Sequence, residues 1–262
     1  MRGKNPPKAV NVYAPAMDAN RCFDPARSIP RNQKIKCNCQ DPTRAVPRTR
    51  KTWTLQHRRI ASLSNSTQNC SVAVFGDSIV ERLGGTKLLG TEKSPIKGIF
   101  KNHFPGGVAL GASGDSSPEL LWHLKKGWLA ADFQPKVMVL LIGTNDLGRH
   151  GCNKEHTLAG VLNVADFLQK ERPRTRFVVH GILPRFDPKT KKLGRYHRDI
   201  LWVNAHLADV ANSTAAKWSY MDSTETFLDP KLFEDGLHPN AQGYRVWLAR
   251  VAAQMRQLHR SQ

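Results

Sequence analysis

The sequence predicts a three-layer α/β/α sandwich in which one five-stranded parallel sheet carries helices on both faces. Three observations carry that reading. Short apolar runs alternate with helix-spaced segments five times, the pattern of parallel strands joined by helical crossovers. The run at 137–142, Val-Met-Val-Leu-Leu-Ile, contains no polar residue, as expected of a central strand buried on both faces. The turns at 76–78, 111–115 and 143–145 each directly follow a strand. They therefore gather at the carboxyl edge of the sheet, where open α/β sheets keep their sites.

The elements follow in chain order. Residues 1–50 are proline-rich and strongly basic without an apolar period, and are expected to form an extended or disordered arm. Residues 53–60 suggest a short helix laid on the domain, and 62–68 a polar linker. The expected division is thus an arm and linker, 1–69, largely irregular, and a domain, 70–262. Val72-Ala73-Val74-Phe75 reads as the first strand, broken by Gly76, and 79–83 begins a helix. Ser78 is left on a tight strand-to-helix turn. Residues 84–98 mix Gly, Lys and Pro and suggest no element. A second strand at 108–110 ends in Gly111-Ala112-Ser113-Gly114-Asp115. Ser116 or Ser117 then caps a helix with Pro118 in its first turn and Leu120, Leu121, Leu124 and Trp128 on its apolar face. The central run at 137–142 leads into Gly143-Thr144-Asn145-Asp146. Leu158, Val161, Leu162, Ala165 and Leu168 keep helical spacing. A fourth strand at 177–182, a basic loop to His197, a helix to about 211, a fifth strand at 218–221 and a helix over 240–258 complete the chain.

With 262 residues and a 40% apolar fraction, the chain can bury a sizeable core. No run of eighteen apolar residues suggests a membrane span, and the first twenty residues lack the apolar stretch of a secretory signal. A soluble protein is expected, with its compartment open. The formal charge is +19; the first fifty residues supply +8 (eleven Lys or Arg less three Asp), leaving +11 elsewhere. Such a surface attracts nucleic acid, acidic lipid head groups or anionic polysaccharide. No nucleic-acid-binding motif accompanies the charge, and the basic residues are not interleaved with aromatics, which disfavours a nucleic-acid partner. The five cysteines, Cys22, Cys37, Cys39, Cys70 and Cys152, show no zinc spacing, so no metal is expected. A disulfide between the N-terminal segment and the domain is open to them, without a pairing that the spacing selects. Sequons stand at Asn65, Asn69 and Asn212.

The chemistry concentrates in two places. Ser78 sits where a strand end exposes its hydroxyl and the first N–H groups of a helix point at whatever binds there. Asp235-Gly236-Leu237-His238-Pro239-Asn240 precedes the last helix, with Asp and His three residues apart and able to turn toward one point. Together they supply a nucleophile, a base and the group that orients the base.

Gly76-Asp77-Ser78, Gly114, Gly143-Thr144-Asn145-Asp146 and Asp235-x-x-His238-Pro239 resemble, in order, the four blocks of the SGNH (GDSL) hydrolase family. The likeness covers about 70–257. Within the family, Leu121-Trp122-His123-Leu124, Pro135-Lys136-Val137 and Gly181-Ile182-Leu183-Pro184-Arg185 look most like the platelet-activating-factor acetylhydrolase catalytic subunits. The arm has no counterpart there. The resemblance implies a flavodoxin-like sandwich and a serine esterase acting without metal or cofactor. Ser78 would be the nucleophile, His238 the base and Asp235 its orienter. The oxyanion hole would comprise the N–H of Ser78, the N–H of Gly114 and the side-chain amide of Asn145, with Gly111 a competing glycine. Asp77 and Asp146 would be supporting residues. The small residues at 111–117 and the absence of a long insertion suggest a short acyl pocket without a lid. The basic loop at 185–198 suits a small-molecule ester whose alcohol portion carries a phosphate or carboxylate. Two other readings stay open: a catalytically idle binding domain for anionic glycans, and a nucleic-acid binder. The oligomeric state is not legible.

Overall fold

A computed structural model describes residues 39–87, 90–91, 95–213 and 216–260. The expectations for the first 38 residues, Cys22 and Cys37 among them, lie outside the described residues.

Five strands form the main sheet: β1 (Ala73–Gly76), β2 (Val108–Gly111), β3 (Val137–Leu141), β4 (Arg176–His180) and β5 (Ser219–Met221). Their order is β2-β1-β3-β4-β5, and every pairing is parallel. The expected flavodoxin-like sandwich is thus observed. β1 lies between β2 and β3, with Phe75 opposite Leu110 on one side and Leu140 on the other. The chain leaves β1 toward one side of the sheet and later returns to the other. The crevice opened by that reversal lies off the carboxyl ends of β1 and β3.

Side chains alternate along each strand, so the sheet separates two cores. Ala73, Phe75, Leu110, Met138, Leu140, Phe177 and Val179 meet α1 (Lys51–Ser66), α4 (Ser117–His123), α6 (Lys154–Glu171) and α7 (His197–Ala211). Val74, Ala109, Val137, Val139 and Val178 meet α2 (Ser78–Leu83), α3 (Ile96–His103) and α8 (Ala241–Arg260). A one-turn helix, α5 (Thr144–Gly148), follows β3.

Two stretches depart from the expectations. The helix expected at 53–60 begins at Lys51 and continues through the presumed linker to Ser66. Its buried stripe is Trp53, Gln56, Ile60 and Ser64, half of it polar, which hid the period. Gln56 Nε2 donates to the Gly111 carbonyl at 3.0 Å, and Ser64 Oγ accepts from the Ala130 N–H at 3.3 Å, so each of the two polar side chains has a backbone partner. The end of the stretch that suggested no element, 96–98, opens α3, whose Ile96, Ile99 and Phe100 face the second core. The segment 39–50 has no helix or strand, yet it is fixed to the domain by a Cys39–Cys152 disulfide spanning 113 residues. Cys70 is buried and unbridged, and burial pushes its thiol up to about 11. Among the described residues no helix is long and apolar enough to cross a membrane.

Candidate active site

Ser78 is the first residue of α2. Asp77 precedes it as the helix cap, its Oδ1 accepting the Ile79 N–H at 2.9 Å. Gly76 must be glycine, because a Cβ there would lie 2.2 Å from the Leu141 carbonyl oxygen of the neighbouring strand. The close strand packing it permits delivers Ser78 to the crevice.

His238 reaches Ser78 from the loop before α8, with Nε2 2.9 Å from Ser78 Oγ. Its Nδ1 lies 2.7 Å from Asp235 Oδ2. Asp235 Oδ1 also accepts the N–H groups of Leu237 and His238, at 3.0 and 2.8 Å. Partial burial works to raise the Asp235 carboxyl, but the His238 ring and these N–H donors outweigh it and hold the group well below the usual carboxylate range. Asp235 therefore stays an acceptor for the Nδ1 proton. The loop is fastened to its surroundings: the Phe186 N–H donates to the Gly236 carbonyl at 2.8 Å, Arg82 of α2 pairs with Glu234 at 2.6 Å, and Tyr244 Oη of α8 donates to the Ile79 carbonyl at 2.7 Å. The serine helix and the histidine loop are thereby fixed to each other as well as to the sheet.

Across the crevice stands the loop 112–116. Gly114 has φ +77°, a left-handed conformation that favours glycine, and its N–H has no hydrogen-bond partner among the described residues. Gly111, the competing glycine, ends β2, and a Cβ there would sit 2.4 Å from the Glu81 nitrogen of α2; its place is a packing contact. Asn145 is buried in α5, and its Nδ2 donates to the Asp115 carbonyl at 3.0 Å and to Asp77 Oδ2 at 3.3 Å. The longer of these is the weaker. Gly143 caps α5 at φ +118°, and a Cβ there would lie 2.7 Å from Ile182 Cδ1. Asp146 accepts the Ser117 N–H at 3.0 Å and so joins α5 to α4. Burial pushes both Asp77 and Asp146 up to about 7.

The expected site residues Ser78, Asp77, Gly114, Asn145, Asp235 and His238 therefore surround one crevice. Sequence reasoning missed the residues that hold them. Arg48 and Arg149 bind the carbonyls of Ser113 and Gly114, at 3.0 and 2.8 Å. Arg185, which the basic loop offered as a substrate contact, instead donates to the Thr144 carbonyl at 2.8 Å. Behind the loop, His123 stacks on Trp128 at 4.0 Å between centroids and approaches Asp115 Oδ2 at 3.2 Å. Burial, then the Arg48 charge, pushes the His123 imidazole well down, so it packs there as a neutral ring. Neither Arg48 nor Arg149 lies in a motif that could have announced it. A cavity of about 230 Å³ lies between α1, α3 and β2, and none of Ser78, Asp235 and His238 lines it. Among the described residues no three His, Cys, Asp or Glu side chains are grouped to hold a metal ion.

Residues 74–246 match the GDSL-like lipase/acylhydrolase family. The chain belongs to that family. Relatives of this GDSL-family chain include the platelet-activating factor acetylhydrolase IB subunit alpha1 of Bos taurus, 29% identical over 133 residues, which is 51% of each chain. The alpha2 subunit of Rattus norvegicus is 28% identical over 51% of this chain and 52% of its own. The chain thus spans about half the length of these relatives. Among solved structures, a GDSL-like lipase from Bacteroides thetaiotaomicron superposes with TM-score 0.59 at 19% identity, over 77% of this chain and 98% of that one. An acetyl-xylooligosaccharide esterase mutant from Geobacillus superposes with TM-score 0.52 at 16% identity, over 70% and 92%. At these identities the superpositions speak for the fold.

Proposed function

We propose that this chain is a serine esterase that cleaves short-chain carboxylic esters, acetyl esters foremost, through an acyl-enzyme. The observation that carries the reading is the pair of contacts Ser78 Oγ–His238 Nε2 and His238 Nδ1–Asp235 Oδ2, at 2.9 and 2.7 Å. As Ser78 Oγ attacks the ester carbonyl carbon, its proton passes to His238 Nε2, and Asp235 stabilises the imidazolium through Nδ1–H. The carbonyl oxygen becomes an oxyanion and receives the N–H of Ser78, the N–H of Gly114 and one Asn145 amide hydrogen, each such donor contributing on the order of 3 kcal/mol. The tetrahedral species collapses, the C–O bond to the alcohol breaks, and His238 returns its proton to the departing oxygen. Water repeats the cycle on the acyl-enzyme and releases the acid.

A short acyl group is supported by the small residues of the 111–117 loop and by the acetylhydrolase names of the relatives. A basic rim supports an alcohol portion carrying phosphate or carboxylate: Arg149 is half-exposed beside Gly114, and the loop bearing Lys189, Lys191, Lys192 and Arg195 is tied to the triad loop through Phe186 and Gly236. The test is a panel of esters of rising acyl length beside a Ser78→Ala control. Ser78→Ala should abolish hydrolysis and fluorophosphonate labelling with the fold intact, and acetyl or butyryl esters should react far faster than decanoyl esters, each misfit methylene costing about 1–3 kcal/mol. Equal labelling of both proteins would overturn the nucleophile. A preference for long chains would overturn the pocket.

A further inference from the structure

We propose that Arg48, in the segment ahead of α1, is a positioning residue for the oxyanion loop, and that the Cys39–Cys152 disulfide is the strap that holds it there. This rests on the esterase reading above.

The guanidinium of Arg48 touches the loop 112–116 at two points and the following helix, α4, at a third. Nη1 donates to the Ser113 carbonyl at 3.0 Å, while Nη2 donates to Asp115 Oδ1 at 2.9 Å and Glu119 Oε2 at 2.6 Å. The Ser113–Gly114 peptide is trans, so its C=O and N–H point in opposite directions. Drawing the carbonyl onto Arg48 turns the unpartnered Gly114 N–H the other way. Arg149 holds the next carbonyl, that of Gly114, at 2.8 Å. The peptide that offers the oxyanion its donor is therefore oriented by an arginine 65 residues away in sequence. Asp115 feeds a second donor of the same hole, because its carbonyl accepts from Asn145 Nδ2 at 3.0 Å. Lysine could not substitute: a single ammonium cannot present the planar fork that reaches a carbonyl and two carboxylates at once.

The segment carrying Arg48 has no secondary structure of its own, so its course depends on attachments. The Val46 N–H donates to the Pro118 carbonyl at 3.0 Å, Ser116 Oγ to Gln40 Oε1 at 3.1 Å, and Asn163 Nδ2 to the Pro42 carbonyl at 3.1 Å. The covalent attachment is Cys39 to Cys152, and Cys152 is itself anchored beside the site, its N–H donating to the Asp146 carbonyl at 2.9 Å. A dithiol that reduces this bridge, being oxidised to its cyclic disulfide while both cysteines become thiols, releases the far end of the strap.

The test measures kcat, KM and melting temperature for a short-chain ester with the full chain: wild type, Ser78→Ala, Arg48→Lys, Arg48→Ala, and wild type treated with the dithiol and then reoxidised. Wild type should be active and Ser78→Ala silent. Arg48→Lys, which keeps the charge and should fold, is expected to lose about 10–100-fold in kcat with KM within about twofold, and Arg48→Ala about 10²–10³-fold, the cost of an oxyanion donor. Reduction should lower kcat several-fold and reoxidation restore it, with Cys39→Ser giving the same loss and no further response to the dithiol. A merely structural Arg48 would lower the melting temperature and leave the kcat of folded enzyme alone. A folded Arg48→Lys variant with wild-type kcat, or a reduced protein with unchanged kcat, would overturn the proposal. A wild type without Ser78-dependent cleavage would instead overturn the esterase reading beneath it.

Discussion

The two walls of the crevice are built on different principles. On one wall, Asp235 and His238 lie three residues apart, and their loop is shaped by its own backbone hydrogen bonds. The Asp235 side chain there is 49% exposed and that of His238 18%. On the other wall, Asp115 and Glu119 are almost fully buried, and their cation arrives from Arg48, 67 and 71 residues away. The first wall is local and wet, the second long-range and dry. A local, hydrated pair tolerates loss of one member, because water takes up what is left. A buried charge network does not, because removing one partner strands the others in a low-dielectric interior.

That contrast can be tested from its largest consequence downward. On the wet wall, His238→Ala should cost about 10⁶-fold in kcat while Asp235→Ala costs about 10⁴-fold, the smaller loss reflecting an orienter whose place water partly fills. Both variants should fold but melt below wild type, Asp235→Ala the more, because the partners that hold this carboxyl well below its usual range also favour the fold. An Asp235→Ala protein as inactive as His238→Ala would show that the carboxylate does more than orient. On the dry wall, Asn145→Ala should lower kcat by about 10²–10³-fold with KM little changed. A rise in KM at constant kcat would make Asn145 a substrate-binding residue and leave the hole short of a donor.

The third test reads pH. Asp146 is buried, with its carboxyl raised to about 7 against an ordinary value near 3.8. A raised carboxyl favours the fold below the unfolded value, and this contribution is lost as pH climbs through the folded one. Across pH 4 to 7.5, wild type should therefore lose about 3 kcal/mol that Asp146→Asn retains, since asparagine can still accept the Ser117 N–H without titrating. Urea melts at the two pH values measure the difference. Parallel curves would mean that Asp146 is charged in the native state throughout.

How legible each wall was in the sequence follows from the same contrast. The strand ends and the Asp-x-x-His loop are short-range patterns, and the apolar runs at 72–75 and 137–142 announce the strands whose carboxyl ends carry two of the motif turns. The dry wall has no such pattern. Arg48 stands in a stretch rich in arginine, lysine and proline, where nothing marks one cation as buried. Cys39 was one of five cysteines, and the pairing depended on a fold position 113 residues away. The reading of α1 stopped before Ser64, a polar residue that sits on the core stripe because its Oγ accepts a backbone N–H. Arg185 shows the converse error. It looked like a surface cation in a basic loop, yet most of it is withdrawn from solvent to hold the start of α5.

The bond from Gln56 to the Gly111 carbonyl has a consequence for the solution behaviour of the protein. β2 is an edge of the sheet. The Ala112 N–H turns inward to Gly76, so the Gly111 carbonyl faces outward, where another chain could add a strand. Gln56 occupies that acceptor, and α1 packs its tryptophan and isoleucine into the core beside the strand. The helix thus works as a guard against strand-to-strand aggregation, blunting with one amide the end of an edge that charged side chains protect in other sheets.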